Sequence, residues 1–177
     1  MTSSEAVNEH ILVVTQLLRD CMEDVERVGE KLAGFAQERG MLFFFGNGGS
    51  AAMAQHLAAE FSKVRAIALA DPASLTAISN DVSFDYVFSQ RIATLGRAAD
   101  VAIGMSTSGV SRNIVWGLRA AKQKGMYTVA LTGASPNPAA ETADDRVCIP
   151  SRSTARIQEA HLLIGHLWCQ RIEEACG

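Results

Sequence analysis

"FFFGNGGSAAMAQHLAAE", residues 43–60, decides how this chain is read. An apolar run stops at Gly46-Asn47-Gly48-Gly49; Ser50 follows, and a helical pattern then carries His56 and Glu60. A short apolar run bounded by glycine reads as a buried strand. Glycines between a strand and a helix let backbone N–H groups approach an anion, and the helix N-terminus adds partial positive charge. His56 and Glu60 are four residues apart, so they share one face of the helix.

The pattern repeats outward from this stretch. Upstream, residues 4–39 read as helix with one break near Asp20, because Ile11, Val14, Leu18, Met22, Val25, Leu32 and Phe35 recur near helical spacing. Gly40 reads as the stop signal. Downstream, helix is expected at 50–63, 72–81, 83–96, 111–124 and 154–175, and strand at 65–70, 100–105, 127–132 and 145–150. Residues 133–140, "GASPNPAA", read as a loop. Strands alternating with helices predict an α/β fold: a three-layer αβα, doubly wound, parallel five-stranded sheet. Residues 41–177 form that single domain. Residues 1–40 form an extra N-terminal helical segment that packs against the domain or a neighbouring subunit.

Composition excludes several classes. The chain has 177 residues, 48% apolar and 20% charged, which suits one globular domain with a sizeable core. A net charge of −3 argues against nucleic acid as a partner. No apolar run approaches the roughly 20 residues of a membrane span, so no membrane partner is expected. The polar start "MTSSEAVNEH" is unlike a signal peptide, and a cytoplasmic location is expected. Cys21, Cys148, Cys169 and Cys176 are scattered, without zinc-thiolate spacing, and read as free thiols.

Ligands of doubly wound sheets bind at the carboxyl ends of the strands. Two polar loops lie there. The first, Gly46 to Ala51, fits G-x-G-x-x-A, a dinucleotide fingerprint that is weak alone, with Asp71 loosely placed as its acidic partner. The second is "STSGVS", with Ser106, Thr107, Ser108, Gly109 and Ser111. Clustered hydroxyls and backbone amides at a helix start suit a phosphate monoester without Lys or Arg. Together the loops predict a phosphorylated small molecule as ligand. The chain has four histidines; His56, His161 and His166 fall in two segments, with Glu60 in one and Gln158 in the other. Imidazole and carboxylate suit zinc. Spacing leaves both His161 and His166 open as companions of Gln158.

"GNGGSAA…QH…AAE", "SND", "GMSTSGVS" and "TARIQEAHLLIGHLWC" together resemble the phosphoheptose isomerases of the sugar-isomerase (SIS) fold, over nearly the whole chain. The resemblance implies interconversion of sedoheptulose 7-phosphate and D-glycero-D-manno-heptose 7-phosphate, for the heptoses of bacterial surface polysaccharide. It implies a homotetramer with sites between subunits. It implies that Ser50, Ser106, Thr107, Ser108 and Ser111 hold the phosphate, and that Asn47, Gly48, Gly49, Asn80 and Asp81 line the sugar site. The implied zinc ligands, one ion per subunit, are His56, Glu60, Gln158 and His166, with Glu60 and Gln158 also facing substrate. His161 is then structural. Glu60 is assigned as the base and His166 as the acid that move protons between C1, C2 and their oxygens. Glu60 cannot be a tight ligand and a free base at once. The same glycines explain the dinucleotide fingerprint.

Two departures stand out. The family's usual aspartate three residues before the first ligand histidine is Met53 here, and 60–69 crosses from helix to strand with fewer residues than usual. Met53 reads either as a lost partner of the ligands or as an ordinary apolar residue on the buried helix face. They leave room for an alternative: a non-catalytic SIS tetramer that binds a protein partner such as the replication initiator. That paralogue lacks the final ligand histidine, which is kept here as His166.

Overall fold

The computed structural model describes residues 2–177. Two helices open the chain, α1 (Ser3–Asp20) and α2 (Met22–Gln37). The alternating part follows as β1 (Met41–Gly46), α3 (Gly49–Glu60), β2 (Arg65–Ala68), α4 (Pro72–Asp81), a 3₁₀ turn (Phe84–Tyr86) and α5 (Val87–Leu95). It continues with β3 (Val101–Ser106), α6 (Arg112–Gln123), β4 (Tyr127–Thr132), α7 (Pro138–Thr142), β5 (Asp145–Cys148) and α8 (Thr154–Cys176).

All strand pairs are parallel, in the order β2-β1-β3-β4-β5. One register row runs Ala68, Phe44, Ile103, Val129, Asp145 across the sheet. Strand side chains alternate between faces, so the continuous run in β1 serves two cores. Leu42 and Phe44 join the core under α2, α3 and α8, where Phe44 meets Phe61. Phe43 and Phe45 join the core under α5 and α6, where Phe45 meets Phe88. This is the doubly wound three-layer fold expected from the alternation.

The N-terminal helices are tied to the domain through α8. Val25, Val28 and Leu32 of α2 are buried in the same core as Trp168, whose Nε1–H donates to the Val25 carbonyl at 2.8 Å. Arg27 and Lys31 both reach Asp145 of β5. α1 is held by His10 against Glu159 at 2.6 Å and by Arg156 donating to the Ala6 carbonyl. Its outer side keeps Val7, Ile11, Leu12 and Leu18 exposed.

Several boundaries differ from expectation. The stretch 133–140 is not all loop: Asn137 caps a short helix, its Oδ1 accepting from Ala140 N at 2.9 Å, with Pro138 at the first helical position. That is the Asx cap followed by proline that starts helices. The helix expected from 83 begins as the 3₁₀ turn, because the Ser83 hydroxyl accepts from Asp85 N and tightens it. β2 and β5 are each two residues shorter than read, ending at Ala68 and Cys148.

Candidate active site

The sheet reverses direction of growth at β1. The chain leaves β1 for β2 on one side and returns to β3 on the other, so the connections that follow the paired strands β1 and β3 part at the switch point. A cleft of about 290 Å³ opens there, between the turn after β1, the loop after β3 and the start of α8.

Three helices begin at this cleft, and none has a side-chain cap. α3 starts from Gly48, α6 from Ser111 and α8 from Ser153, with no capping hydrogen bond at any of them. Elsewhere Thr2, Asp71 and Asn137 cap α1, α4 and α7, while α2 and α5, which follow directly on a preceding helical turn, are also uncapped. An uncapped helix start presents the positive end of the helix dipole to an anion. In α3 the Ser50 and Ala51 N–H groups are already given to the Asn47 and Gly48 carbonyls, so that helix contributes through its dipole. The cleft is lined by Asn47, Gly48, Gly49, Ser50, Met105, Ser106, Thr107, Ser111, Thr154 and Gln158, with no Lys or Arg among them. The three helix starts therefore supply its positive potential.

The hydroxyl loop is braced. Ser106 Oγ accepts from Gly109 N at 3.1 Å and lies 3.3 Å from Ser111 Oγ. Ser108 Oγ accepts from Val110 N. Gly109 has φ +68, and a Cβ there would sit 2.1 Å from the Asn137 amide, so this position needs glycine. Ala139 N donates to the Gly109 carbonyl at 2.9 Å, and Gly133 N to the Thr107 carbonyl at 3.1 Å. The unexpected α7 is thus part of what holds the loop in shape.

The second group of polar side chains lies toward the other end of α3. His56 Nε2 and His166 Nε2 are 3.0 Å apart, and Glu60 Oε1 is 3.8 Å from His56 Nε2. His56 and Glu60 are half exposed, at 47% and 50%. The approach depends on Gly165: a Cβ there would fall 2.4 Å from the Leu57 side chain, so α8 lies tight on α3 only because position 165 is bare. Gly49 and Glu60 are the two ends of α3, about 16 Å apart along its axis. Helical side chains lean toward the N-terminus, so His56 and Glu60 reach back toward the cleft.

The SIS domain family model matches residues 7–133. The phosphoheptose isomerase of Roseiflexus sp. (strain RS-1) is 44% identical over 155 residues, covering 82% of this chain and 79% of that protein. The solved phosphoheptose isomerase of Neisseria gonorrhoeae superposes with TM-score 0.94 at 38% identity, over 97% of this chain and 96% of that one. The chain belongs to the phosphoheptose isomerase family of SIS-domain proteins. The Francisella tularensis phosphoheptose isomerase gives TM-score 0.91 at 28% identity, over 98% of this chain and the full length of that one.

Against this family background the residues singled out from sequence fall into three places. Asn47, Gly48, Gly49, Ser50, Ser106, Thr107, Ser111 and Gln158 line the cleft, with Ser108 in the same loop. His56, Glu60 and His166 form the second group. Asn80 and Asp81 are exposed at the end of α4 and are not among the residues that line the cleft, with Asn80 Nδ2 donating to Asp81 Oδ1 at 2.8 Å. Gln158 keeps its amide beside Gly49 and lies about 12 Å along α8 from His166, so one chain does not gather all four expected zinc ligands.

Two imidazole nitrogens converging from different helices beside a carboxylate fit zinc in donor chemistry. Among the described residues, no group of three or more His, Cys, Asp or Glu side chains is gathered for a metal as the side chains stand. Glu60 has to swing toward the imidazole pair to join it.

His161 is fully buried. Its Nε2–H donates to the Thr132 carbonyl at 3.1 Å, and Nδ1 has no partner. Burial pushes its pKa down to about 4, so the ring is neutral. Met53 packs against the core under α3 and α8, as an ordinary apolar residue of that face. Asp71 spends its carboxylate on Ser74 N at 2.8 Å as the α4 cap, which removes the partner the dinucleotide reading wanted.

Sequence reading missed Thr154 and Asn113. Thr154 opens α8, one turn before Gln158, and lines the cleft. Its signal was the i, i+4 spacing to Gln158. Asn113 was masked by the apolar residues around it in α6.

Proposed function

We propose that the protein is an aldose–ketose isomerase that converts sedoheptulose 7-phosphate to D-glycero-D-manno-heptose 7-phosphate through an enediol, supplying heptose for bacterial surface polysaccharide. The observation that carries the reading is the pairing of two unlike sites on α3. Its start contributes to an uncapped, hydroxyl-lined cleft, and its far half carries His56 and Glu60 beside His166.

The phosphate is held by the Ser106, Thr107, Ser108 and Ser111 loop and by Ser50, with first-turn N–H groups of α6 and α8 and the dipole of α3. Asn47 and the Gly48–Gly49 backbone face the sugar. Glu60 takes the proton from C1 of the ketose as base. His166 delivers a proton to O2, which gives the enediol; it then takes the proton from O1 while Glu60 returns the carbon-bound proton to C2, and the aldose results. Phosphate hydrogen bonds fix the substrate so that the reacting carbons meet Glu60.

His56, His166 and Glu60 would hold a zinc ion in the resting site, with Gln158 offered from the cleft, and Glu60 and His166 would have to leave the ion to act as base and acid. When bound, the ion polarises the carbonyl and stabilises negative charge on its oxygen. The same reading takes the protein as a cytoplasmic homotetramer. The exposed Val7, Ile11, Leu12 and Leu18 of α1 are apolar surface that an assembly would cover. Among the described residues, no helix is long and apolar enough to cross a membrane.

The test is incubation of the purified protein with sedoheptulose 7-phosphate in D₂O, with and without added zinc, followed by NMR. An aldoheptose phosphate with deuterium at C2 supports the enediol route. A folded protein that yields no product in either condition overturns the reading and favours the partner-binding alternative. His166, the residue that distinguishes the two, lies against His56, which supports the enzyme reading.

A further inference from the structure

Asn113 is the second residue of α6, buried to 3% exposure. Its amide exchanges two hydrogen bonds with Asn47. Asn47 Nδ2–H donates to Asn113 Oδ1 at 2.9 Å, and Asn113 Nδ2–H donates to Asn47 Oδ1 at 2.8 Å. The pair bridges the switch point, joining the turn after β1 to the helix after β3.

A buried amide needs partners, so the pair could serve folding alone. Three features point further. Asn47 is only partly buried and lines the cleft, where water could satisfy it. The Asn47 carbonyl also accepts from Ser50 N at 3.0 Å, so holding Asn47 holds the start of α3. Finally, an amide offers two N–H donors and an oxygen with two lone pairs. The pair uses one of each and leaves Asn47 one donor and one acceptor for a ligand. Neither amide can turn over alone without setting oxygen against oxygen.

We infer that Asn113 is a positioning residue: it fixes the Asn47 side chain and the Gly48–Ser50 turn in the substrate-binding shape before substrate arrives. The inference rests on reading the cleft as the sugar-phosphate site. Without the pair the turn samples other shapes, and apparent affinity falls by the fraction of time the right shape is lost. Saturating substrate restores the shape, so KM changes more than kcat. A role in folding alone would lower the active fraction, and with it kcat, and leave KM where it is.

The experiment compares wild type with Asn113→Ala and Asn113→Asp. The aspartate keeps the volume and the bond from Asn47 Nδ2 but sets an acceptor against Asn47 Oδ1. Thermal melting establishes that each variant is folded. Turnover of sedoheptulose 7-phosphate gives KM and kcat, and hydrogen exchange reads the amides of residues 48–52 in the free protein. KM is expected to rise about 10-fold to 100-fold in both variants, the scale of effect from misplacing a site by about 1 Å. Exchange at 48–52 is expected to speed up while the sheet stays protected. Wild-type KM with unchanged exchange at 48–52 overturns the inference. If wild type itself gives no turnover, the isomerase reading fails separately, and loop exchange still decides whether Asn113 holds the turn.

Discussion

The two ends of α3 are built on opposite principles. Its start is tied into braced loops, with Asn47 locked to Asn113, Ser106 bonded to Gly109, and α7 behind the hydroxyl loop. Its far half carries half-exposed His56 and Glu60, whose nearest partners are each other and His166. Binding a phosphate rewards a fixed array of donors, since donors ordered in advance cost nothing to order again. Moving protons asks for groups that can change partner. The difference teaches that, on the isomerase reading, the braced end is the one that holds the ligand and the exposed end is the one where bonds change.

The largest expected effect comes from the exposed end. Glu60→Gln removes the proposed base and should lower kcat by about 10²–10⁴-fold with KM little changed, read from initial rates. Full turnover by this variant would break the division between a holding end and a reacting end.

The buried His161 sharpens the contrast with its exposed neighbours. Its folded pKa of about 4 lies below the 6.5 of an unfolded histidine. The unfolded chain therefore takes up the proton first, and stability, complete above pH 6.5, is lost as pH falls toward 4. The loss reaches about 3 kcal/mol. Urea unfolding at pH 7.5 and 4.5 measures it, and His161→Gln should remove this part of the acid sensitivity.

Gly165→Ala tests whether the two ends can be uncoupled. The added methyl meets Leu57, costing about 1–3 kcal/mol of stability by overpacking. It should also part His56 from His166 and lower kcat by about 10²-fold. Inorganic phosphate should still inhibit at its wild-type concentration, because the loops are untouched.

Ser106→Ala acts on the braced end. Loss of a hydrogen bond to a charged ligand, about 1.5–3 kcal/mol, should raise KM by roughly 10–100-fold with a smaller change in kcat. Thr154→Val is the mildest change, a KM increase of a few-fold from one rim hydroxyl worth about 1 kcal/mol. If Thr154→Val equals Ser106→Ala, α8 holds the phosphate as firmly as the loop does.

Much of this was legible in the sequence because local rules and global need agreed. The run 43–45 could only be a buried strand, and the glycines after it only a turn, so sheet and cleft followed. His56 and Glu60 were legible through i, i+4 spacing. What was not legible needed contacts between distant segments. Nothing in residues 111–116 says that Asn113 faces Asn47, since the partner is 66 positions away. Gly165 reads as a weak point in a helix until Leu57 is seen against it. Gln158 and His166 share a helix, yet helical rise carries them to different ends of the site, and spacing on a wheel ignores that distance. α7 was hidden because Asn137-Pro138 fits a loop as well as a cap.

The separation along α3 makes that helix a measuring rod. On the isomerase reading one end seats a phosphate and the other meets a carbonyl, and the distance between them is set by a backbone that cannot shorten. A sugar phosphate with fewer carbons can dock its phosphate in the same cleft while its carbonyl stops short of Glu60. Such a molecule becomes a competitor of the heptose and not a substrate. Chain length would then be selected by the length of a helix and not by a wall at the end of the pocket.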